Sequence, residues 1–289
     1  MSRIDFELIP GDSTAPLVVV GIHGLMGSPA ELSFVSEALS GVAPIVLPNL
    51  HVNTDLFAGS YNQGSIDSFD YDLAADAISE YLQSQCPGKR AFFIGVSSGG
   101  KIVYDFMIHH SERYGGAVLL DISPAPFEEA EFFKIFKEIV PQLNLSLPWQ
   151  DLKSQIKQLL PDRIAQVLLA SQIYYPPGAT QAEWRPGVRL IDSKLKSQRI
   201  SNQMADLGSI AAAAKESPTL ILLADSMSSV GQSVLDEIRA YPSLRTQKLP
   251  SSSHFLHTSH RSEVIDAIRN KFSEAVQVVS KEKGKEAQL

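Results

Sequence analysis

Gly95-Val96-Ser97-Ser98-Gly99 sets a serine between glycines two residues before and two after it. That spacing suits a nucleophile on a sharp strand-to-helix turn, where flanking side chains would crowd the backbone. Ser98 does not satisfy the pattern, because Val96 stands two residues before it. A hydroxyl becomes a strong nucleophile only when a neighbouring base takes its proton. The chemistry this points to is acyl transfer, with Ser97 attacking a carbonyl carbon. The plainer reading is a glycine-rich turn needed only for close packing.

Acyl transfer requires hydrogen-bond donors for the developing oxyanion. His23-Gly24-Leu25-Met26-Gly27 follows the apolar run Leu17–Gly21 and forms a turn able to aim the Leu25 amide at Ser97. The Ser98 amide, at the start of the next helix, is the second donor. The base is expected in Ser251-Ser252-Ser253-His254-Phe255-Leu256-His257, between the last strand and the last helix. His254 is nearest the strand end and is favoured. His257 is expected to pack or to fix the loop, and His260 to start the helix. A carboxylate must then orient the imidazole. Asp121 and Asp225 each end a predicted strand, and each is a candidate.

These residues need a scaffold. Ile4, Phe6 and Leu8 alternate as in a strand with one buried face. Leu17–Gly21, Pro44–Pro48, Ala91–Gly95, Ala117–Leu120, Thr219–Ala224 and Leu244–Leu249 read as further strands. Helices are expected from Ser28-Pro29-Ala30-Glu31, where Ser28 and Glu31 suit a capping box, and over Phe69–Gln85, Ser98–His110, Ser233–Tyr241 and Arg261 to about Val279. Strands alternating with helices predict an α/β fold, with a mostly parallel sheet and helices on both faces. Strand rhythm stops between Phe127 and Gln203, where helical patterns and proline breaks remain. Residues 127–205 are therefore expected to form a helical cap inserted into a core of residues 1–126 and 206–289. Its aromatic residues include Phe132, Phe133, Phe136, Trp149, Tyr174, Tyr175 and Trp184.

The chain has 289 residues, of which 44% are hydrophobic and 20% charged. That is enough for one large α/β domain with an insertion. A formal net charge of −7 argues against nucleic acid as a partner. The mixed-charge stretch Lys281–Glu286 reads as a solvated, frayed tail. The single cysteine, Cys86, excludes an internal disulfide and has no companion set of metal ligands. The start of the chain lacks the basic and apolar run of a signal peptide, and no stretch reaches membrane-spanning length, so a cytoplasmic location without membrane insertion is expected.

Several segments together resemble the α/β-hydrolase superfamily, and within it the bacterial YbfF-like esterases and their mitochondrial relatives. The likeness covers roughly residues 16–126 and 217–273. His23–Ser28 reads HGLMGS, like that family's oxyanion loop, and Gly95–Lys101 reads GVSSGGK, similar to G-H-S-M-G-G-K. Phe69–Asp76 looks like the helix before the elbow strand. Asp121–Pro126 looks like the D-I-A-P-V segment, Trp184-Arg185 like a cap motif, and His254–His257 like H-x-x-H. The resemblance implies Asp121 as the acid. Spacing agrees, since Ala224 and Met227 occupy the glycine and aspartate positions of the commoner G-x-x-D pattern. Val96 and Ser98 replace the usual His and Met beside the nucleophile, and Leu47–Thr54 departs from the D-x-R-N-H-G-x-S loop. His23, Met26 and His51 are expected to line the substrate pocket.

The function expected is serine hydrolysis of a small-molecule carboxylic ester or thioester, with a small to medium acyl group and no cofactor or metal. A lyase or C–C bond hydrolase on the same scaffold is the alternative, and a non-catalytic binding protein a third reading. The sequence sets no oligomeric state.

Overall fold

The computed structural model describes residues 4–24, 27–50, 71–125, 138–161, 163–184, 207–215, 217–226, 228 and 230–286. Nine strands are numbered among these residues: β1 (Asp5–Ile9), β2 (Leu17–Ile22), β3 (Ile45–Asn49), β4 (Arg90–Val96), β5 (Tyr114–Leu120), β6 (Ile173–Tyr174), β7 (Glu183–Trp184), β8 (Thr219–Leu223) and β9 (Arg245–Lys248). Seven form one sheet in the order β1-β3-β2-β4-β5-β8-β9. Within that sheet only the β1–β3 pair is antiparallel.

The central strands follow from their composition. Leu-Val-Val-Val-Gly-Ile in β2 and Tyr-Gly-Gly-Ala-Val-Leu-Leu in β5 are buried along their whole length. Runs without alternation are what a strand covered on both faces requires. The edges differ. β9 reads Arg-Thr-Gln-Lys and is exposed throughout, and such charged edges discourage pairing with another chain. In β1, Phe6 stacks on Tyr81 at 4.1 Å between ring centroids, whereas Leu8 is exposed.

Helices α1 (Ser33–Leu39) and α9 (Arg261–Glu286) cover one face of the sheet. Helices α2 (Tyr71–Gln85), α3 (Ser98–His109) and α6 (Leu207–Lys215) cover the other. Helix α7 (Gln232–Ile238) precedes β9, and the short α8 (Leu256–Ser259) precedes α9. Phe34, Leu256, Ile268 and Phe272 fill the first layer. Ile78, Phe93, Tyr104 and Phe106 fill the second.

Three local expectations need correction. Helix α9 continues to Glu286, where a frayed tail was expected, and Glu282 pairs with Arg90 at 2.7 Å. Pro29–Leu32 forms a 3-10 turn before α1, and Ser28 makes no side-chain capping bond. Glu31 does reach back to the Ser28 backbone, so only one half of the capping box forms. Within residues 127–205, the described part contains helices α4 (Trp149–Leu159) and α5 (Arg163–Ser171), but also the antiparallel pair β6–β7. Strands this short carry too little periodicity to be read from sequence. Phe132, Phe133, Phe136 and Arg185 lie outside the described residues.

Candidate active site

Ser97 sits between β4 and α3 with φ 48° and ψ −123°. A positive φ is unfavourable for a residue with a Cβ and persists only where its surroundings enforce it. Here Ser97 N donates to Leu120 O at 3.0 Å, and Gly100 N donates to Ser97 O at 2.8 Å. The flanking glycines answer a real shortage of space. A Cβ on Gly99 would lie 2.5 Å from Ile22 O, and one on Gly95 would lie 2.8 Å from the Gly100 Cα.

His254 follows β9 and points Nε2 at Ser97 Oγ, 3.0 Å away. Its Nδ1 lies 2.6 Å from Asp121 Oδ2. A carboxylate can only accept, so Nδ1 carries the proton and donates to Asp121. In the neutral ring Nε2 is then the acceptor for the Ser97 hydroxyl. Asp121 is fully buried and His254 nearly so. Burial by itself would raise the Asp121 carboxyl. The hydrogen bond and charge of His254, with bonds from Ser228 and Ala224, outweigh it and hold the carboxyl below its usual value.

Those last two partners were not read from the sequence. Ser228 Oγ donates to Asp121 Oδ1 at 2.6 Å, and the Ala224 amide donates to the same oxygen at 2.9 Å. Both come from the segment after β8, where the commoner acid position falls. Ser228 is one of three serines in Ser226-Met227-Ser228-Ser229, and residue type alone does not mark which of them reaches the acid.

Asp225, the other candidate acid, faces away. It pairs with Lys248 at 2.7 Å and accepts from Ser251 N at 3.1 Å. The Lys248 hydrogen bond is the largest influence lowering its carboxyl pKa, followed by the Ser251 amide. Ser251 has φ 61°, so Asp225 fastens the strained turn that leads into the histidine loop. Ser226 N adds a bond to Ser252 O at 3.0 Å. His257 is buried and stacks on Phe34 at 5.4 Å, a packing position.

Ser98 opens α3 and its residue is buried. Leu25 and Met26 lie outside the described residues, as does His51. Their neighbour Gly24 is close to the serine, since a Cβ on it would be 3.3 Å from Ser97 Cβ. Gly24 O accepts from Gly27 N at 3.0 Å. His23 was expected to line the pocket. It is instead fully buried, with Nδ1 donating to Gly24 O at 2.8 Å and Nε2 accepting from Leu50 N at 3.1 Å. Both ring nitrogens serve the backbone, and the imidazole holds the turn against the end of β3.

Grooves of about 530 and 520 Å³ open at the opposite, amino edge of the sheet, beside Thr219 and Arg245 and beside Arg90 and Tyr114. They lie away from the serine. Among the described residues, no group of three or more His, Cys, Asp or Glu is placed to hold a metal ion. Nor is any helix there long and apolar enough to cross a membrane.

No family model matches the sequence. Solved structures do resemble this one across nearly its whole length. A marine microorganism esterase aligns with a TM-score of 0.71 at 18% identity, covering 93% of this chain and 99% of that one. A structure from work on carboxylesterases of the thaumarchaeon Nitrososphaera gargenis aligns at 0.68 and 14% identity, covering 95% of each chain. The meta-cleavage product hydrolase of Pseudomonas fluorescens aligns at 0.64 and 15% identity, covering 94% of each. At such identities the likeness is one of architecture. With its sheet order, its strained serine turn after β4 and these neighbours, the chain has the α/β-hydrolase fold.

Proposed function

We propose that this protein is a serine hydrolase that cleaves a carboxylic ester or thioester of a small to medium acyl group. The observation that carries the reading is the unbroken hydrogen-bonded line from Asp121 through His254 to Ser97. Ser97 Oγ attacks the carbonyl carbon as its proton passes to His254 Nε2. The amides of Ser98 and Leu25 are assigned to the oxyanion. His254 then protonates the leaving alcohol or thiol, and an acyl-enzyme remains. Water attacks the acyl carbon, giving its proton to His254, and the carboxylic acid departs as that proton returns to Ser97. Asp121 stays ionised and supports the imidazolium.

Residues 127–205 are assigned as a cap over the carboxyl edge of the sheet. In support, Leu152, Ile156, Leu169 and Ile173 join one apolar cluster with Ile122, Ala125 and Phe255, which follow β5 and β9. A second reading is C–C bond hydrolysis, favoured by the likeness to the meta-cleavage product hydrolase. A fluorophosphonate probe followed by a series of p-nitrophenyl esters separates the readings. Labelling that depends on Ser97, with turnover of esters, supports the ester reading. Labelling without ester turnover, but with cleavage of a meta-cleavage product, supports the second. No labelling removes both.

A further inference from the structure

The chain leaves the sheet at Asp121 with φ 49°, in the same left-handed region as Ser97. Its amide still bonds Leu222 O at 2.7 Å, but Ile122–Ala125 belong to no helix or strand. All four of those residues are buried. Their carbonyls therefore need partners from side chains or pay the full cost of desolvation. Two of these partners come from α3, the helix that begins at the serine. Tyr104 Oη donates to Ile122 O at 3.1 Å, and Lys101 Nζ donates to Ala125 O. Among the described residues, each is the sole hydrogen bond its carbonyl accepts.

The placement on α3 is periodic. Gly100 and Lys101 stand four and three residues before Tyr104, so each is its neighbour on the helix surface. Gly100 lets that surface come close, for a Cβ there would stand 2.3 Å from Ile122 Cγ2. Both tethering side chains are buried, Tyr104 completely. Burial pulls the Lys101 ammonium down to about 7, and Asp105, one turn further along α3, partly opposes this. A buried amine is costly to keep unless its hydrogen bonds do structural service.

We infer that Lys101 and Tyr104 are positioning residues that dock the Asp121–Ala125 segment onto the nucleophile's own helix, fixing the strained acid relative to Ser97. The kinetic side of this inference rests on the acyl-transfer reading above. Neither residue touches the reacting atoms. They act through the backbone that follows Asp121, while Ala224 and Ser228 hold its carboxylate from the other side. With the tether cut, the segment relaxes from its left-handed conformation and the carboxylate moves off Nδ1. A displacement of an ångström in such a pair costs about a hundredfold in rate.

The test uses Tyr104→Phe, which keeps the ring and loses only the donor, with Lys101→Met and Lys101→Arg. Active-site titration with a p-nitrophenyl phosphonate counts competent sites, so partial unfolding does not enter the rate. The expected result is a kcat per titrated site lowered about ten- to a hundredfold in Tyr104→Phe and Lys101→Met, with KM within about twofold. Lys101→Arg, which retains a donor, should recover most of the rate. The proton on His254 Nδ1 should also give a proton NMR signal downfield of the amide envelope that moves or broadens in Tyr104→Phe. Unchanged kcat per site with only a lower melting temperature would overturn the inference. If the wild-type protein neither labels at Ser97 nor turns over esters, the functional reading fails by itself. The downfield signal then still decides the tether, and an identical signal in Tyr104→Phe would overturn it.

Discussion

Ser97 and Asp121 end neighbouring parallel strands with almost the same backbone twist, φ 48° and φ 49°, and Ser97 N bonds the carbonyl of Leu120, the residue before Asp121. Together with Ser251, they are the only non-glycine residues with positive φ among the described residues. All three follow strands that end at the carboxyl edge of the sheet. Strain gathered at one edge marks positions held by their surroundings, as functional sites are.

Ser97→Ala should abolish ester hydrolysis and fluorophosphonate labelling while the far-ultraviolet circular dichroism stays unchanged. Loss of a serine nucleophile removes several orders of magnitude in rate. A variant retaining a tenth of the wild-type turnover would exclude Ser97 as nucleophile.

Asp121→Asn and Asp225→Asn should separate sharply. In serine proteases, exchanging the triad aspartate for asparagine costs about 10⁴ in kcat, because the imidazole takes the wrong tautomer. A loss of that order is expected at Asp121, which meets His254 through the 2.6 Å bond. Asp225 is exposed and paired with Lys248, so its exchange should change kcat less than about threefold, in line with the small worth of exposed ion pairs. Steady-state kinetics of the two variants decide between them.

Stability should fall as pH is lowered from about 7 to 4. Burial pulls both His23 and His257 down to about 4 from an ordinary 6.5, with His254 and Arg261 adding to the shift at His257. The unfolded chain binds these protons first, so it gains over the folded state as pH drops through that window. Each ring represents on the order of 3 kcal/mol at the acid limit. Glu31 works in the opposite direction. Burial raises it to about 7, partly offset by the Ser28 backbone bond, so it weakens the fold as pH rises from 4.5. Glu31→Gln should therefore melt higher than wild type at pH 8 and no higher at pH 4. His257→Leu should flatten the acid side of the profile. Melting temperatures across pH test both.

Gly99→Ala should damage both stability and turnover. The added methyl would fall 2.5 Å from Ile22 O and 2.6 Å from His23 O, which are backbone atoms that cannot rotate away. Overpacking of this kind costs about 1–3 kcal/mol. It also pushes the Gly24 turn away from Ser97. Turnover per folded molecule should fall alongside the melting temperature, and unchanged kinetics would show that the two loops are not coupled.

The sequence by itself determined the scaffold, and it singled out Ser97 and His254, two members of the hydrogen-bonded line on which the proposed function rests. Apolar runs such as Leu17–Gly21 and Thr219–Ala224 are local signals of doubly covered strands, and G-x-S-x-G is a local demand of a tight turn. Neighbouring residues produce such features, so they are legible in one dimension. The choice between Asp121 and Asp225 was different. Both follow adjacent strands, and although the family resemblance and the G-x-x-D spacing favour Asp121, the direction each carboxylate takes on leaving the sheet is a property of the fold. Asp121 turns inward at φ 49°, while Asp225 is drawn outward by Lys248 on the next strand. The tertiary structure also decided the role of His23, whose partners Gly24 and Leu50 are brought together by strand pairing. Ser228 reaches Asp121 across 107 positions of sequence. A contact made across that distance depends on the whole chain packing around it, and no spacing of residue types records it.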